Sequence, residues 1–210
     1  MLFDIGETLI TGPAGNPVDQ LVEVLGLDRE RYKGMVKHTL FCQTISSTEE
    51  LINAFSPYVK TEDQQQRLIA KIWDNQRNLA TKLPDVGLML NRMKEDGYEI
   101  GFMSNICTPY YKRFLDLYPD EGRNGHTFLS CEMGFLKPDK RFFEAVLSRL
   151  ERPAHEVVLI GDSYKNDMLP AILEGIKTHW FIRDPAKAAE TLVHIAENRL
   201  PKPTVIEKSW

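Results

Sequence analysis

Four groups of residues in this sequence have the types and the settings that chemistry requires. Asp4 closes a short apolar stub, Ser104-Asn105 closes the run Tyr98 to Met103, and Asp162 follows Val157-Val158-Leu159-Ile160-Gly161. A fourth group, Lys137-Pro138-Asp139, stands beyond the short apolar run Thr127 to Ser130. Together they supply a carboxylate nucleophile, a hydroxyl donor, a cation and a further carboxylate pair, Asp162 and Asp167. That inventory suits phosphoryl transfer, in which the protein chiefly positions groups and neutralises charge. The separations are 100 residues from Asp4 to Ser104, 33 from Ser104 to Lys137 and 25 from Lys137 to Asp162. Only tertiary structure can unite them.

Singly, each group has an ordinary structural explanation. Asp4 could cap a turn, Ser104-Asn105 could simply end a strand, and Asp162-Ser163 could cap the next helix. Lys137 before a proline would normally be a solvated lysine. Four such groups in order, each at the end of an expected strand, argue against that combination.

The elements that must position them follow from pattern. Residues 1–4 read as a stub of strand, and Gly6 to Gly15 as turn chemistry. From Pro17 to about residue 82 the chain reads as successive helices with no alternating segment, including capping boxes Ser47-x-x-Glu50 and Thr61-x-x-Gln64. Beyond Pro84, helices alternate with strands: a helix to Gly97, the strand from Tyr98, a helix from Pro109 to Leu117 and the strand from Thr127. A helix after Pro138, the strand from Val157, a further helix, a strand from Thr178 to Ile182 and a helix from Pro185 complete the series. Such alternation predicts an α/β fold: a Rossmann-like parallel sheet flanked by helices, with an all-helical insertion after the first strand. The expected division is a core of residues 1–15 and 83–210 and a cap of residues 16–82. In such sheets ligands bind beyond the carboxyl ends of the strands, where the four groups stand.

The segments LFDIGETL (2–9), IGFMSN (100–105), GFLKPD (134–139) and VVLIGDSYKND (157–167) resemble, in order and spacing, the four motifs of the haloacid dehalogenase superfamily. The helical insertion resembles that superfamily's subclass I cap. The resemblance implies a Mg²⁺-dependent hydrolase of a small phosphate ester, a phosphatase working through an aspartyl-phosphate on Asp4. It implies Mg²⁺ ligands from Asp4, the Gly6 carbonyl and Asp162, with Asp167 holding the metal through water or orienting Lys137. Lys137 would offset phosphoryl charge, while Ser104, the Asn105 amide and Thr8 would serve the substrate phosphate.

One position departs from the pattern. Phosphatases of the superfamily usually carry a second aspartate two residues after the nucleophile, as general acid and base; here that residue is Gly6. Such a group is worth ~10² to 10⁴ in rate. Glu7 is a candidate surrogate; in that case Glu7→Gln slows turnover by about tenfold or more. Two alternatives lie in other classes: a metal-independent 2-haloacid dehalogenase-type hydrolase, and a weakened phosphate-binding or regulatory protein. Members of the superfamily also carry several apolar residues before the nucleophile. Here there are three, which predicts either a short first strand or a start lying upstream.

Composition bounds the partners. Of 210 residues 42% are apolar and 27% charged, and the net charge is −4. An acidic chain of this kind argues against affinity built on nucleic-acid phosphates. No apolar run approaches the ~18 residues of a membrane span, and the opening residues suit neither a signal nor a transit peptide. Three cysteines (Cys42, Cys107, Cys131) match no close-spaced zinc pattern and suggest a reduced, cytoplasmic chain. In the cap, candidate substrate readers lie between Arg29 and His38 and around Gln43. The cluster Arg31, Lys33, Lys37 and His38 could meet an anionic substrate, although such a cluster is more often one solvated helix face. Trp73 and Trp180 read as core, and Cys107 as an inert thiol near the cleft.

Overall fold

A computed structural model describes residues 1–206. The chain opens with β1 (Leu2–Phe3) and a tight turn into β2 (Ile10–Thr11). Four helices follow, α1 (Pro17–Val24), α2 (Arg29–Phe41), α3 (Thr48–Phe55) and α4 (Asp63–Asn78), and then β3 (Thr81–Lys82). The remainder alternates: α5 (Val86–Glu95), β4 (Gly101–Ser104), α6 (Thr108–Leu117), α7 (Pro119–Asn124), β5 (His126–Leu129), α8 (Ser130–Met133) and α9 (Lys140–Leu150). Next come β6 (Val158–Gly161), a π-helical segment (Tyr164–Met168), α10 (Leu169–Leu173), β7 (Lys177–Phe181), α11 (Pro185–Glu197) and β8 (Thr204–Ile206).

Six strands form one parallel sheet in the order β5-β4-β1-β6-β7-β8. β1 is two residues long yet central: Leu2 and Phe3 pair with Gly101 and Phe102 on one side and with Leu159 and Ile160 on the other. Strand alternation sends Phe3, Phe102, Leu129 and Ile160 to one face and Leu2, Met103, Phe128 and Leu159 to the opposite face. On the second face α9 contributes Phe142, Phe143 and Val146, all fully buried. Burying each such side chain is worth about 1.5–3 kcal/mol. The first face is continuous with the helical insertion, whose Leu21, Phe55, Ile69 and Trp73 join the same apolar cluster. α4 lies against α6, so the insertion is packed onto the sheet layer as well as tethered to it.

Several boundaries differ from the sequence pattern. The strand expected from Tyr98 begins at Gly101, because Gly97 turns the chain with φ +85° and Tyr98 and Glu99 stay exposed. Residues 6–15 are not turn throughout. β2 pairs with β3 in an antiparallel ribbon, Ile10 opposite Lys82 and Thr11 opposite Thr81, closing the base of the insertion. The second capping box also sits one residue later than expected. Gln65 accepts from the Glu62 amide at 2.9 Å, and its own amide donates to the Val24 carbonyl of α1 at 2.8 Å. That tertiary bond fixes which residue begins the helix. At α3, Ser47 accepts from the Glu50 amide as expected, but the Glu50 carboxylate reaches the Ser46 amide instead of Ser47.

Candidate active site

The carboxyl edge of the sheet gathers the four groups. The amide of Asp4 donates to the Ile160 carbonyl at 2.9 Å, so the β1–β6 ladder continues one residue past β1 and pins the backbone beneath the carboxylate. Ser104 ends β4 and is buried. Asp162 follows β6, and its carbonyl accepts from Trp180 Nε1 at 2.8 Å. Ser163 caps the π-helical segment by accepting from the Asn166 amide. That turn brings Asp167 back over the strand end, where its Oδ2 accepts from the Ser163 amide at 3.1 Å. Gly161 makes the return possible: a Cβ there would stand 2.8 Å from Oδ2 of Asp167.

Lys137 is 1% exposed, far from the solvated lysine its position before proline suggests. Its ammonium donates to Asp4 Oδ1 at 2.8 Å, to the Met103 carbonyl at 3.0 Å and to Asp167 Oδ1. Three donors meet three acceptors, which a buried ammonium requires. The backbone of Lys137 is clamped as well. Asn105 Oδ1 accepts from its amide and Asn105 Nδ2 donates to its carbonyl, both at 2.8 Å. The side chain of Asn105 is therefore committed to holding Lys137.

Charge is unbalanced around this lysine. Carboxylate oxygens of Asp4, Asp162 and Asp167 all lie within 4.8 Å of one another. Burial, then Asp4 and Asp167, push Asp162 up to about 8. Burial also pushes Asp167 up to about 6, against the pull of Lys137. For Lys137 burial opposes the charge, but Asp167 and Asp4 outweigh it and hold the ammonium above its ordinary value. Three carboxylates sharing one ammonium form a donor set that fits a hard divalent cation, which takes oxygen ligands. Thr8, on the turn after Asp4, is buried, and its hydroxyl has no hydrogen-bond partner among the described residues.

Glu7 lies at the rim in the left-handed region, φ 56°. Its Oε1 accepts from the Thr11 hydroxyl at 3.1 Å and the Gly12 amide at 3.2 Å, and its Oε2 from Arg183. Arg183, just past β7, carried no motif. Neither did Tyr110 on α6, whose ring lies against Gly6 and Gly12. Beside Glu7 and Asp162 a cleft of about 1170 Å³ runs under α11, walled partly by Trp180, Ile182 and Arg183. In the helical insertion Lys33 pairs with Asp19 at 2.7 Å, and Arg31 and His38 are exposed. Trp73 and Trp180 are buried, and burial pushes the Cys107 thiol up to about 12.

Three clustered carboxylates and a buried lysine thus stand at the end of the central strand of a parallel sheet. Residues 27–181 match the family model of haloacid dehalogenase-like hydrolases, and the chain belongs to that family. Among solved structures it is similar to a haloacid dehalogenase-family enzyme from Bacteroides thetaiotaomicron in complex with magnesium and inorganic phosphate. The TM-score is 0.61 at 19% identity, over 85% of this chain and 91% of that one. Two curated relatives match in part. A sesquiterpene phosphatase of Aspergillus oryzae is 27% identical over 37% of this chain and 40% of its own length. A ribulose-1,5-bisphosphate 5-phosphatase of Halopiger xanaduensis is 28% identical over 51% of this chain and 44% of its own. The matches thus span less than half the length of either relative. Among the described residues no helix is long and apolar enough to cross a membrane.

Proposed function

We propose that the chain is a phosphatase that hydrolyses a small phosphate ester through an aspartyl-phosphate on Asp4. The observation that carries this reading is the convergence of Asp4, Asp162 and Asp167 within 4.8 Å around a buried lysine. Both curated relatives named above are phosphatases, which supports the same class.

Asp4 attacks phosphorus through a carboxylate oxygen and the bond from phosphorus to the leaving oxygen breaks. The phosphoryl group rests on Asp4 until water hydrolyses the acyl phosphate. Lys137 holds Oδ1 of Asp4 and thereby orients the nucleophile, while its charge offsets the phosphoryl oxygens. Ser104, the main-chain amide of Asn105 and the Thr8 hydroxyl donate to those oxygens. Asp4, Asp162 and the Gly6 carbonyl would hold Mg²⁺, with Asp167 behind them, and the bound ion would neutralise developing charge on phosphorus. Glu7, with both oxygens engaged, serves to fix the turn carrying Gly6 rather than to move protons. The helical insertion, residues 16–82, covers the site as a cap.

Release of inorganic phosphate from 4-nitrophenyl phosphate tests the reading. Activity is expected with Mg²⁺, lost with chelator and abolished in Asp4→Asn. Phosphate binding with equal inertness in wild type and variant would make the chain a binding protein. Release of halide from a 2-haloacid without metal would make it a dehalogenase.

A further inference from the structure

Position 6 presents no side chain to the site, and Tyr110 stands where one would point. A Cβ built on Gly6 would lie 3.8 Å from Cε1 of the Tyr110 ring, which is ordinary van der Waals contact. One built on Gly12 would lie 3.1 Å from the Tyr110 hydroxyl, closer than a side chain there could comfortably sit. The ring is thus seated across two glycines that flank the turn after Asp4, and their missing side chains make its room. Tyr110 is 9% exposed, and its hydroxyl donates to the Ile10 carbonyl at 3.4 Å. The optimum for such a bond is about 2.7–2.8 Å, so this one is weak and the hydroxyl can be turned at small cost. Burial, reinforced by Glu7 and Asp4, pushes the phenol's pKa up, so it remains a donor at neutral pH.

We infer that the Tyr110 hydroxyl donates a hydrogen bond to the leaving oxygen of the substrate, the task a side chain at position 6 would otherwise perform. The inference rests on the phosphatase reading of Asp4. As the phosphorus–oxygen bond breaks, its electron pair moves onto the leaving oxygen, and the phenol stabilises that charge without itself ionising. Water supplies the proton that completes the released alcohol. The contribution therefore grows with the charge that the leaving oxygen must carry. Alkyl esters, whose alkoxides are strongly basic, depend on it most; a nitrophenyl ester, whose phenolate is stable alone, depends on it least. By this logic the site handles metabolite esters in spite of Gly6.

The experiment compares wild type with Tyr110→Phe, which keeps the ring between the two glycines. Substrates are 4-nitrophenyl phosphate, a series of substituted phenyl phosphates and glycerol 2-phosphate. The expected result is a loss in kcat/KM of about tenfold or more on the alkyl ester and less than about twofold on the nitrophenyl ester, the size of a hydrogen bond to a developing anion. The dependence on leaving-group acidity should be shallow in wild type and steep in the variant, and Glu7→Gln should leave the slope as it is. Equal losses on all substrates, or none, would overturn the inference. Should Tyr110→Phe fail to fold, a steep slope in the wild type overturns it equally, and a shallow slope that Glu7→Gln leaves unchanged supports it. If the wild type releases phosphate from neither class, the phosphatase reading falls and takes the inference with it.

Discussion

The ammonium of Lys137 lies 2.8 Å from Oδ1 of Asp4, a residue 133 positions earlier in the chain. The same nitrogen bonds Asp167, so one buried cation separates two buried carboxylates that would otherwise repel. Removing one member of such a set leaves uncompensated charge in the interior, which costs more than the set contributes when whole.

Lys137→Met is accordingly expected to destabilise the fold by about 3–5 kcal/mol and to abolish turnover. Thermal melts and phosphate release measure the two effects. A variant with wild-type melting temperature would mean that the carboxylates find another partner.

Asp162 gives a pH dependence whose sign can be worked out. Its carboxyl has an ordinary value of 3.8 and is pushed up to about 8 in the fold by burial and by Asp4 and Asp167. The folded state therefore binds this proton more tightly than the unfolded state, and metal-free protein loses stability from this group as pH rises through that window. On the proposed reading Mg²⁺ would take the place of the proton, so its stabilisation should be larger at about pH 8 than at about pH 5.5. Melts with Mg²⁺ and with chelator at both pH values measure it, and Asp162→Asn should flatten the difference. An equal shift at both would count against the assignment.

Gly161→Ala places a methyl group 2.8 Å from Oδ2 of Asp167. Either the carboxylate or the π-helical turn must shift, at a cost of about 1–3 kcal/mol. Weaker Mg²⁺ binding by titration is the specific expectation, since a general loss of packing would leave metal affinity alone once the protein is folded.

Glu7→Gln should lower turnover far less than the ~10² to 10⁴ that loss of an acid/base costs. Its stability effect should stay within about 1 kcal/mol, as for other rim ion pairs. A fall of about tenfold or more confined to kcat would restore Glu7 as the proton carrier.

The sequence exposed the strand-end chemistry because each strand is apolar up to its last residue and then turns abruptly polar. Asp4, Ser104 and Asp162 stand together at one edge for that reason, Lys137 and Asp167 reach them from the segments that follow β5 and β6, and the parallel sheet was legible in the alternation that spaces them. The partners that finish the site were not legible. Arg183 meets Glu7 across 176 residues, and Tyr110 meets Ile10 across 100. Contacts of that span leave no local period to read. β2 and β3 were invisible for a different reason: two residues cannot display alternation, and they form a ribbon only because Ile10 is buried beside its partner strand. The later start of α4 was decided by Gln65 reaching α1, a tertiary bond that overrides a local cap.

That ribbon has a thermodynamic consequence. The ladder of Ile10 with Lys82 and Thr11 with Thr81 brings the two ends of the helical insertion side by side. Seen from the sheet, everything between is one closed loop, and the entropy of closing a loop grows only with the logarithm of its length. Lengthening or shortening the insertion beyond the ribbon costs the sheet little. The inserted helices can therefore drift in size and sequence while the strand that carries Asp4 keeps its place.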